Sequence, residues 1–275
     1  MSEQASARAT PDHTRIGHPR LHLRRTGSTN ARARELAFAG APHGTLVTAS
    51  EQTAGRGRQG RRWSAPAGSS LLASLLLRDV PALLPLIAAV AVCDVAGERA
   101  RIKWPNDVVV ELGASARGND TAGASAALAK LAGILVEGRP QEGWAVLGIG
   151  LNVAVHLEQL PPELQPNTGV RERSVGGLPA ATLGLVPADV EPTLARLLDV
   201  LARRLAEPEE ATLAAWRSRD ALRGREIAWG THGAEEPDQH GRADGIDESG
   251  RLVVVLADGR RTAIGAGEVH LREIG

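Results

Sequence analysis

The chain has 275 residues, 43 % of them hydrophobic, and a formal net charge of zero, so it can bury a full-sized core and is not a disordered polyelectrolyte. Neutral charge with one Phe and no Tyr argues against a nucleic-acid binder, which needs a basic face and stacking aromatics. A single cysteine, Cys93, rules out an intrachain disulfide and zinc-type spacing; within the apolar run Val90 to Val95 it reads as a small packing residue.

Residues 1–18 are polar and rich in Ser, Thr, Ala and charge, which predicts a flexible tail. There is no room before Leu21 for a helix-turn-helix module, so no DNA contact is expected. The tail carries no apolar signal segment, and no run approaches the ~20 residues that span a bilayer, so a cytoplasmic protein without membrane contact is expected. The nearest run, Leu83 to Val95, is broken by Pro85 and Asp94.

A short strand from Leu21 to Arg24 leads to Ser28 or Thr29, which can cap a helix through Ala39 that stops near Gly40 and Pro42. Strands are predicted at 45–50 and 70–77, and a helix at about 82–96. The two strands are joined by a glycine-spaced basic loop within Thr48 to Trp63 (TASEQTAGRGRQGRRW). Glycines at 55, 57 and 60 let the backbone approach a ligand closely, and Arg56 and Arg58 would share one face of an extended segment. Guanidiniums beside backbone N–H groups suit a carboxylate, a phosphate or both. The loop also matches the dinucleotide fingerprint G-x-G-x-x-G. Asp79 lies near the right distance for its acidic partner, but Pro66 and Gly68 interrupt the helix that the fingerprint requires.

A hairpin follows, with Ala100 to Trp104 and Val108 to Val110 joined by the turn Pro105-Asn106-Asp107. Glu111 to Ala129 is a low-complexity insert that reads as a mobile loop. Strands resume at Lys130 to Glu137 and Trp144 to Gly150. A Pro-rich connection (161–179) precedes an amphipathic helix whose stripe is Val190, Leu194, Leu197, Leu198, Leu201 and Leu205. From about Leu222 five short strands alternate with Gly-containing turns, at 225–229, 241–246, 251–256, 261–264 and 268–271; Asp258-Gly259 is a hairpin signal. The predicted organisation is a tail over 1–18, an α+β catalytic body over 19–220 built on a sheet with flanking helices, and a small all-β domain over 221–275.

Five separated segments end strands with polar groups: Gly27-Ser-Thr-Asn30, the loop at 52–63, Lys103-Trp-Pro-Asn-Asp107, Lys130-Leu-Ala-Gly-Ile-Leu-Val-Glu137 and Gly148-Ile-Gly-Leu-Asn152. In this order, and with GRGRQGR, KWPNDV and KLAGIL together, the chain closely resembles the biotin–protein ligases from about residue 20 to its end. The short, monofunctional class of that family is the better match. The resemblance implies a mixed β-sheet of the class II synthetase and biotin-ligase type with a C-terminal SH3-like β-barrel. It implies a two-step reaction: the biotin carboxylate attacks the α-phosphate of ATP, and a lysine of a biotin carboxyl carrier domain then takes the biotinyl group. ATP and Mg²⁺ are the implied cofactors, with the ion held by phosphate oxygens and water and no metal ligands on the protein. A monomer and a homodimer are both open.

The resemblance places Lys130 and Arg56 in catalysis, with Lys130 on the carboxylate and α-phosphate. By position alone Lys130, preceding a strand, is a solvated charge. Ser28, Thr29 and Asn30 cap a helix on their own chemistry; the resemblance adds contact with biotin, shared with Gly55, Arg56, Gly57, Arg58, Lys130 and Gly133. Gln52 is put on the ureido ring, where amide-like groups need matched donors and acceptors. Arg58, Trp63, Lys103, Asn106, Asp107 and Asn152 are implied at ATP, with Trp63 over the adenine and Asn152 at adenine or ribose. Asp107 and Glu137 make no acid–base pair, and Gln59 stands where many relatives carry a basic residue. The family's loop orders when ligand arrives, which the glycines suit. Lipoate or octanoate is the nearest alternative substrate; the ureido-matching Gln52 favours biotin.

Overall fold

The computed structural model describes residues 16–78, 80–112, 127–139, 142–166, 177–230, 239–265 and 269–271. Most of the expected tail, most of the insert, the middle of the Pro-rich connection, Asp79 and Glu268 lie outside them. The elements are β1 (Arg20–Thr26), α1 (Thr29–Phe38), β2 (Leu46–Gln52), β3 (Gly55–Arg56), β4 (Arg62–Trp63), β5 (Ser70–Arg78), α2 (Leu84–Ala96), β6 (Ala100–Lys103), β7 (Asp107–Glu111), β8 (Leu128–Arg139) and β9 (Trp144–Asn152). Then come α3 (Val190–Leu205), α4 (Glu209–Arg217), β10 (Glu226–Trp229), β11 (Gln239–Ile246), β12 (Leu252–Val255), β13 (Arg261–Ile264) and β14 (Val269–Leu271).

The larger sheet has seven strands in the order β1-β2-β5-β9-β8-β7-β6. Only the β1–β2 pair is parallel; the other five pairings are antiparallel. Strand β5 (SLLASLLLR) is buried on both faces, because helices cover each side. Leu71, Ala73, Leu75 and Leu77 join the large core with α2 and α3, whereas Leu76 packs with Ala33 and Ala37 of α1. The alternation sends Ser74 to the α1 face as well. Helix α2 is buried on nearly all sides, and Pro85 opens it where its missing N–H costs nothing. The stripe of α3 buries Leu194, Leu197, Leu201 and Leu205 as periodicity predicts, adds Val200, and leaves Val190 and Leu198 half-buried at its margin.

Helix α4 has no counterpart in the sequence reading. It is nine residues long and buries only Thr212, Leu213 and Trp216, too short a stripe to stand out. Glu209 and Glu210 in its first turn, favourable against the helix dipole, are the signal that was available.

The smaller sheet is antiparallel, in the order β13-β12-β11-β10-β14. It does not hang free. Ile227, Trp229, Leu252, Val254 and Ile264 belong to the same core cluster as Leu83, Leu86 and Ile87 of the α2 region. The outer edge of β6 is occupied by the chain entering this sheet: Ile102 N–H donates to Arg219 O at 2.7 Å and Ala221 N–H to Ile102 O at 2.9 Å.

Asp220 sits in that junction. Its Oδ1 accepts from Leu222 N–H at 2.8 Å, while Oδ2 is buried without a hydrogen-bond partner. Burial pushes the carboxyl up to about 6, against the pull of the Leu222 and Arg223 N–H groups and the Arg223 and Arg225 charges. Between about pH 4 and 6 the folded chain keeps a proton that the unfolded chain has released, so stability falls as pH rises through that window. Asp220→Asn keeps the acceptor and removes the charge. It is expected to raise stability at pH 7 by about 1–2 kcal/mol, discounted for partial exposure, and to gain nothing below about pH 4. Urea midpoints at the two pH values check this; a variant no more stable at pH 7 refutes it.

Candidate active site

The N-terminus of α1, the end of β2 and the middle of β5 build one side of a cavity of about 120 Å³. Ser28 caps the helix, its Oγ accepting from Ala31 N–H at 3.4 Å. Gln52 Oε1 accepts from Thr29 N–H at 2.7 Å and lies 3.1 Å from Thr29 Oγ1. Ser74 Oγ, fully buried, is 2.8 Å from Thr29 Oγ1 and 2.6 Å from Asn30 Oδ1. Asn30 Nδ2 donates to Glu137 Oε2 at 2.8 Å and to Leu135 O at 3.3 Å.

These contacts fix Gln52 Oε1 and Asn30 Oδ1 as acceptors at the two ends of the chain Gln52–Thr29–Ser74–Asn30. Two hydroxyl protons therefore serve three oxygen–oxygen contacts. The network is short of one donor. The network can accept from an N–H donor, and Gln52, which lines the cavity, carries an amide that can donate.

The other side of the cavity is cationic. Lys130 Nζ stands 2.7 Å from Asp107 Oδ1, an ion pair without hydrogen-bond alignment, and 5.6 Å from the Trp63 ring centroid. Lys130 does not precede a strand, as the sequence suggests, but lies inside β8. There Leu131 is the extra residue of a β-bulge against Val108 and Val109, and the bulge re-aims the side chain beside it. Lys103, only 5 % exposed, is held down to about 8 mainly by burial, with Asp107 opposing and the Lys130, Arg61 and Arg58 charges adding. Burial also lowers Arg58, again with Asp107 opposing and Arg61 adding. Four cations thus act around one shared carboxylate, a concentration of positive charge that an anion relieves.

The basic loop is a hairpin. The β3–β4 ladder pairs Gly55 with Trp63 and Arg56 with Arg62, Gly57 N–H donates to Arg61 O at 2.7 Å, and Gln59 adopts a φ of 53°. Gly57, between Arg56 and Arg58, is extended as the sequence reading supposes, and a tight turn begins at Arg58. Arg56, half exposed, reaches Glu137 Oε1 at 3.8 Å at the rim, while Arg58 turns inward toward Asp107. Both still line the cavity.

The floor is made of glycines on β8 and β9. A Cβ on Gly150 would come within 2.6 Å of the Trp63 ring, and one on Gly148 would collide with Asn30 Oδ1. Gly148→Ala is therefore expected to displace Asn30, break its bonds to Ser74 and Glu137, and weaken ligand binding in the polar half at least tenfold, with about 1–3 kcal/mol lost in stability. Calorimetric titration and thermal melting check this; unchanged affinity would show that Asn30 does not organise the pocket.

Of the residues singled out in the sequence, Ser28, Thr29, Asn30, Gln52, Arg56, Gly57, Arg58, Trp63, Asn106, Asp107, Lys130 and Gly133 line this cavity. Three do not. Gly55 backs the loop against the Trp63 carbonyl, Lys103 lies buried behind Asp107, and Asn152 points into the fold, 3.2 Å from Ser70 Oγ and donating to Ala181 O at 2.9 Å. Sequence reasoning passed over Ser74, whose small polar side chain inside an apolar strand was the available signal. It also gave no role to Arg61, nor to Glu137 as the partner of Asn30.

Residues 22–153 match the biotin/lipoate A/B protein ligase family, and residues 224–272 match the biotin protein ligase C-terminal domain. A biotin–[acetyl-CoA-carboxylase] ligase of Mycobacterium tuberculosis is 36 % identical over 90 % of this chain and 87 % of its own length. One of Paracoccus denitrificans is 35 % identical over 90 % of this chain and 98 % of its own. Among solved structures, the biotin protein ligase from Aquifex aeolicus in complex with biotin and ATP has a TM-score of 0.70 at 24 % identity, covering 93 % of this chain and 99 % of that one; this likeness shows the fold.

Proposed function

The chain belongs to the biotin/lipoate A/B protein ligase family, and from that premise we propose that it activates biotin with ATP and transfers it to a lysine of a biotin carboxyl carrier domain. The observation that carries this reading is one cavity with two halves of opposite character, a donor-deficient polar network and a cationic wall of Lys130, Arg58 and Arg61, backed by the buried Lys103.

A cyclic urea matches the polar half, because an N–H meets the Thr29 hydroxyl oxygen at the cavity wall, in a network short of one donor, and its carbonyl meets Gln52 Nε2. An aliphatic dithiolane or octanoyl chain leaves that network unsatisfied, which a buried site penalises heavily. The carboxylate at the far end of the ligand then lies toward Lys130. A carboxylate and a triphosphate repel each other, and Lys130, Arg58 and Arg61 on the cavity wall, with Lys103 buried behind them, offset that repulsion where the new bond forms. The carboxylate oxygen bonds to the α-phosphorus as the bond to pyrophosphate breaks. The amine of the acceptor lysine next attacks the mixed anhydride, losing a proton as AMP leaves with the bonding pair.

Trp63, seated on Gly133 and Gly150, supplies a flat apolar surface for the adenine. Asn106 donates to Ile134 O at 2.8 Å and so holds the β6–β7 turn against β8. Among the described residues no group of three His, Cys, Asp or Glu side chains could hold a metal ion. Magnesium enters with the triphosphate, held by phosphate oxygens and water.

Titration with biotin and separately with lipoate, each followed by MgATP and mass detection of the adenylate, tests the reading. Micromolar or tighter biotin binding with biotinyl-AMP formed supports it. Lipoyl-AMP without biotinyl-AMP overturns the substrate and keeps the chemistry; neither adenylate overturns both.

A further inference from the structure

The Lys103–Asp107 segment is gripped from two sides, and only one grip comes from its own sheet. Asn106 ties the turn to β8 through Ile134. The second grip crosses the molecule: the indole N–H of Trp104 donates to the carbonyl of Gly250 at 3.1 Å, in a fully buried bond between residues 146 positions apart. Trp104 is 2 % exposed. We propose that the β11–β12 turn at Gly250 is a positioning element for the nucleotide half of the site, acting through the Trp104 indole.

The turn is built to hold still. Asp247 Oδ1 accepts from Ser249 N–H and Arg251 N–H, both at 2.9 Å, and its Oδ2 pairs with Arg251 Nε at 2.7 Å. Gly250 has a φ of +73°, and a Cβ there would come within 2.9 Å of Leu86 and 3.3 Å of Leu83. The turn is therefore wedged between the start of α2 and Trp104, and its carbonyl direction follows from both. A buried indole N–H needs an acceptor, so the ring follows the carbonyl. Trp104 is covalently flanked by Lys103 and lies three residues from Asp107, the carboxylate around which the cations gather. Strand β6 adds rigidity, since Arg219–Ala221 leading into the same small sheet occupies its outer edge. The polar half, on α1, β2 and β5, has no such tie among the described residues. The small sheet therefore sets ATP geometry and leaves the biotin half alone.

This inference rests on assigning the nucleotide to the cationic half. The test measures KM for MgATP by biotin-dependent adenylate formation, alongside the Kd for biotin, in Trp104→Phe and Gly250→Ala. Each is expected to raise KM for MgATP about tenfold, less than the roughly 10²-fold that a full ångström of misplacement costs, while biotin Kd stays within about twofold. Gly250→Ala carries the test if Trp104→Phe does not fold. Ile227→Val, a buried methyl deletion in β10, is the control, expected to lower Tm and leave KM unchanged. Unchanged KM in both turn variants overturns the proposal, as does an equal rise in Ile227→Val or a parallel loss of biotin affinity. A wild-type chain that binds biotin but no MgATP overturns the nucleotide assignment itself.

Discussion

Lys130→Ala is expected to lower the rate of adenylate formation about 10³-fold, the scale on which a preorganised charge at a developing anion acts, while biotin affinity changes less than about threefold. The geometry explains the asymmetry. Lys130 Nζ is 2.7 Å from Asp107, so its charge is already compensated before any substrate arrives, and the polar half that grips the ligand head does not contain it. What the variant loses is a cation that can leave Asp107 for the carboxylate and α-phosphate as they approach. Asp107, left without that partner, then adds negative charge where the triphosphate must sit. Single-turnover mass detection of biotinyl-AMP, with calorimetric biotin binding, separates the two quantities. A variant within tenfold of wild type in adenylate formation would remove Lys130 from the chemistry. Lys130→Arg is expected to restore little, because a larger planar guanidinium cannot take the position of the compact ammonium that stands 2.7 Å from Asp107.

Arg58→Ala is expected to release the activated intermediate about 10–100 times faster, the equivalent of one charge-assisted hydrogen bond lost. Released mixed anhydride acylates whatever lysines it meets, so a bystander protein in the same solution should acquire biotin. The expectation follows from where the side chain sits: Arg58 is drawn inward toward Asp107 and partly desolvated. Arg56→Ala is the internal comparison. That guanidinium is half exposed and 3.8 Å from Glu137, and such pairs contribute little, so its leak should be clearly smaller. Adenylate dissociation rates and mass analysis of the bystander decide; tight retention in Arg58→Ala would sink the containment role.

Most elements were readable in the residues because their signals are local. The α3 stripe, the alternation of the short C-terminal strands and the Ser28 cap each declare themselves within a dozen positions. The site residues cluster in motifs for the same reason. What stayed hidden depends on contacts between distant segments. Ser74 becomes significant only when the β2–β5 pairing carries it beneath Thr29 and Asn30. Asn152 reads as a strand-end ligand group, yet its side chain is taken by Ser70 and Ala181. The tight turn of the basic loop needs a left-handed Gln59, a conformation no residue type there announces.

The core shared between α2 and the small sheet has a consequence for synthesis. Leu83, Leu86 and Trp104 are covered in part by residues translated more than a hundred positions later. At about 5–20 residues per second, a growing polypeptide presents this apolar surface for many seconds before its lid leaves the ribosome. The last fifty residues thus close this core, and a chain cut short ahead of them is expected to expose the apolar surface of Leu83, Leu86 and Trp104.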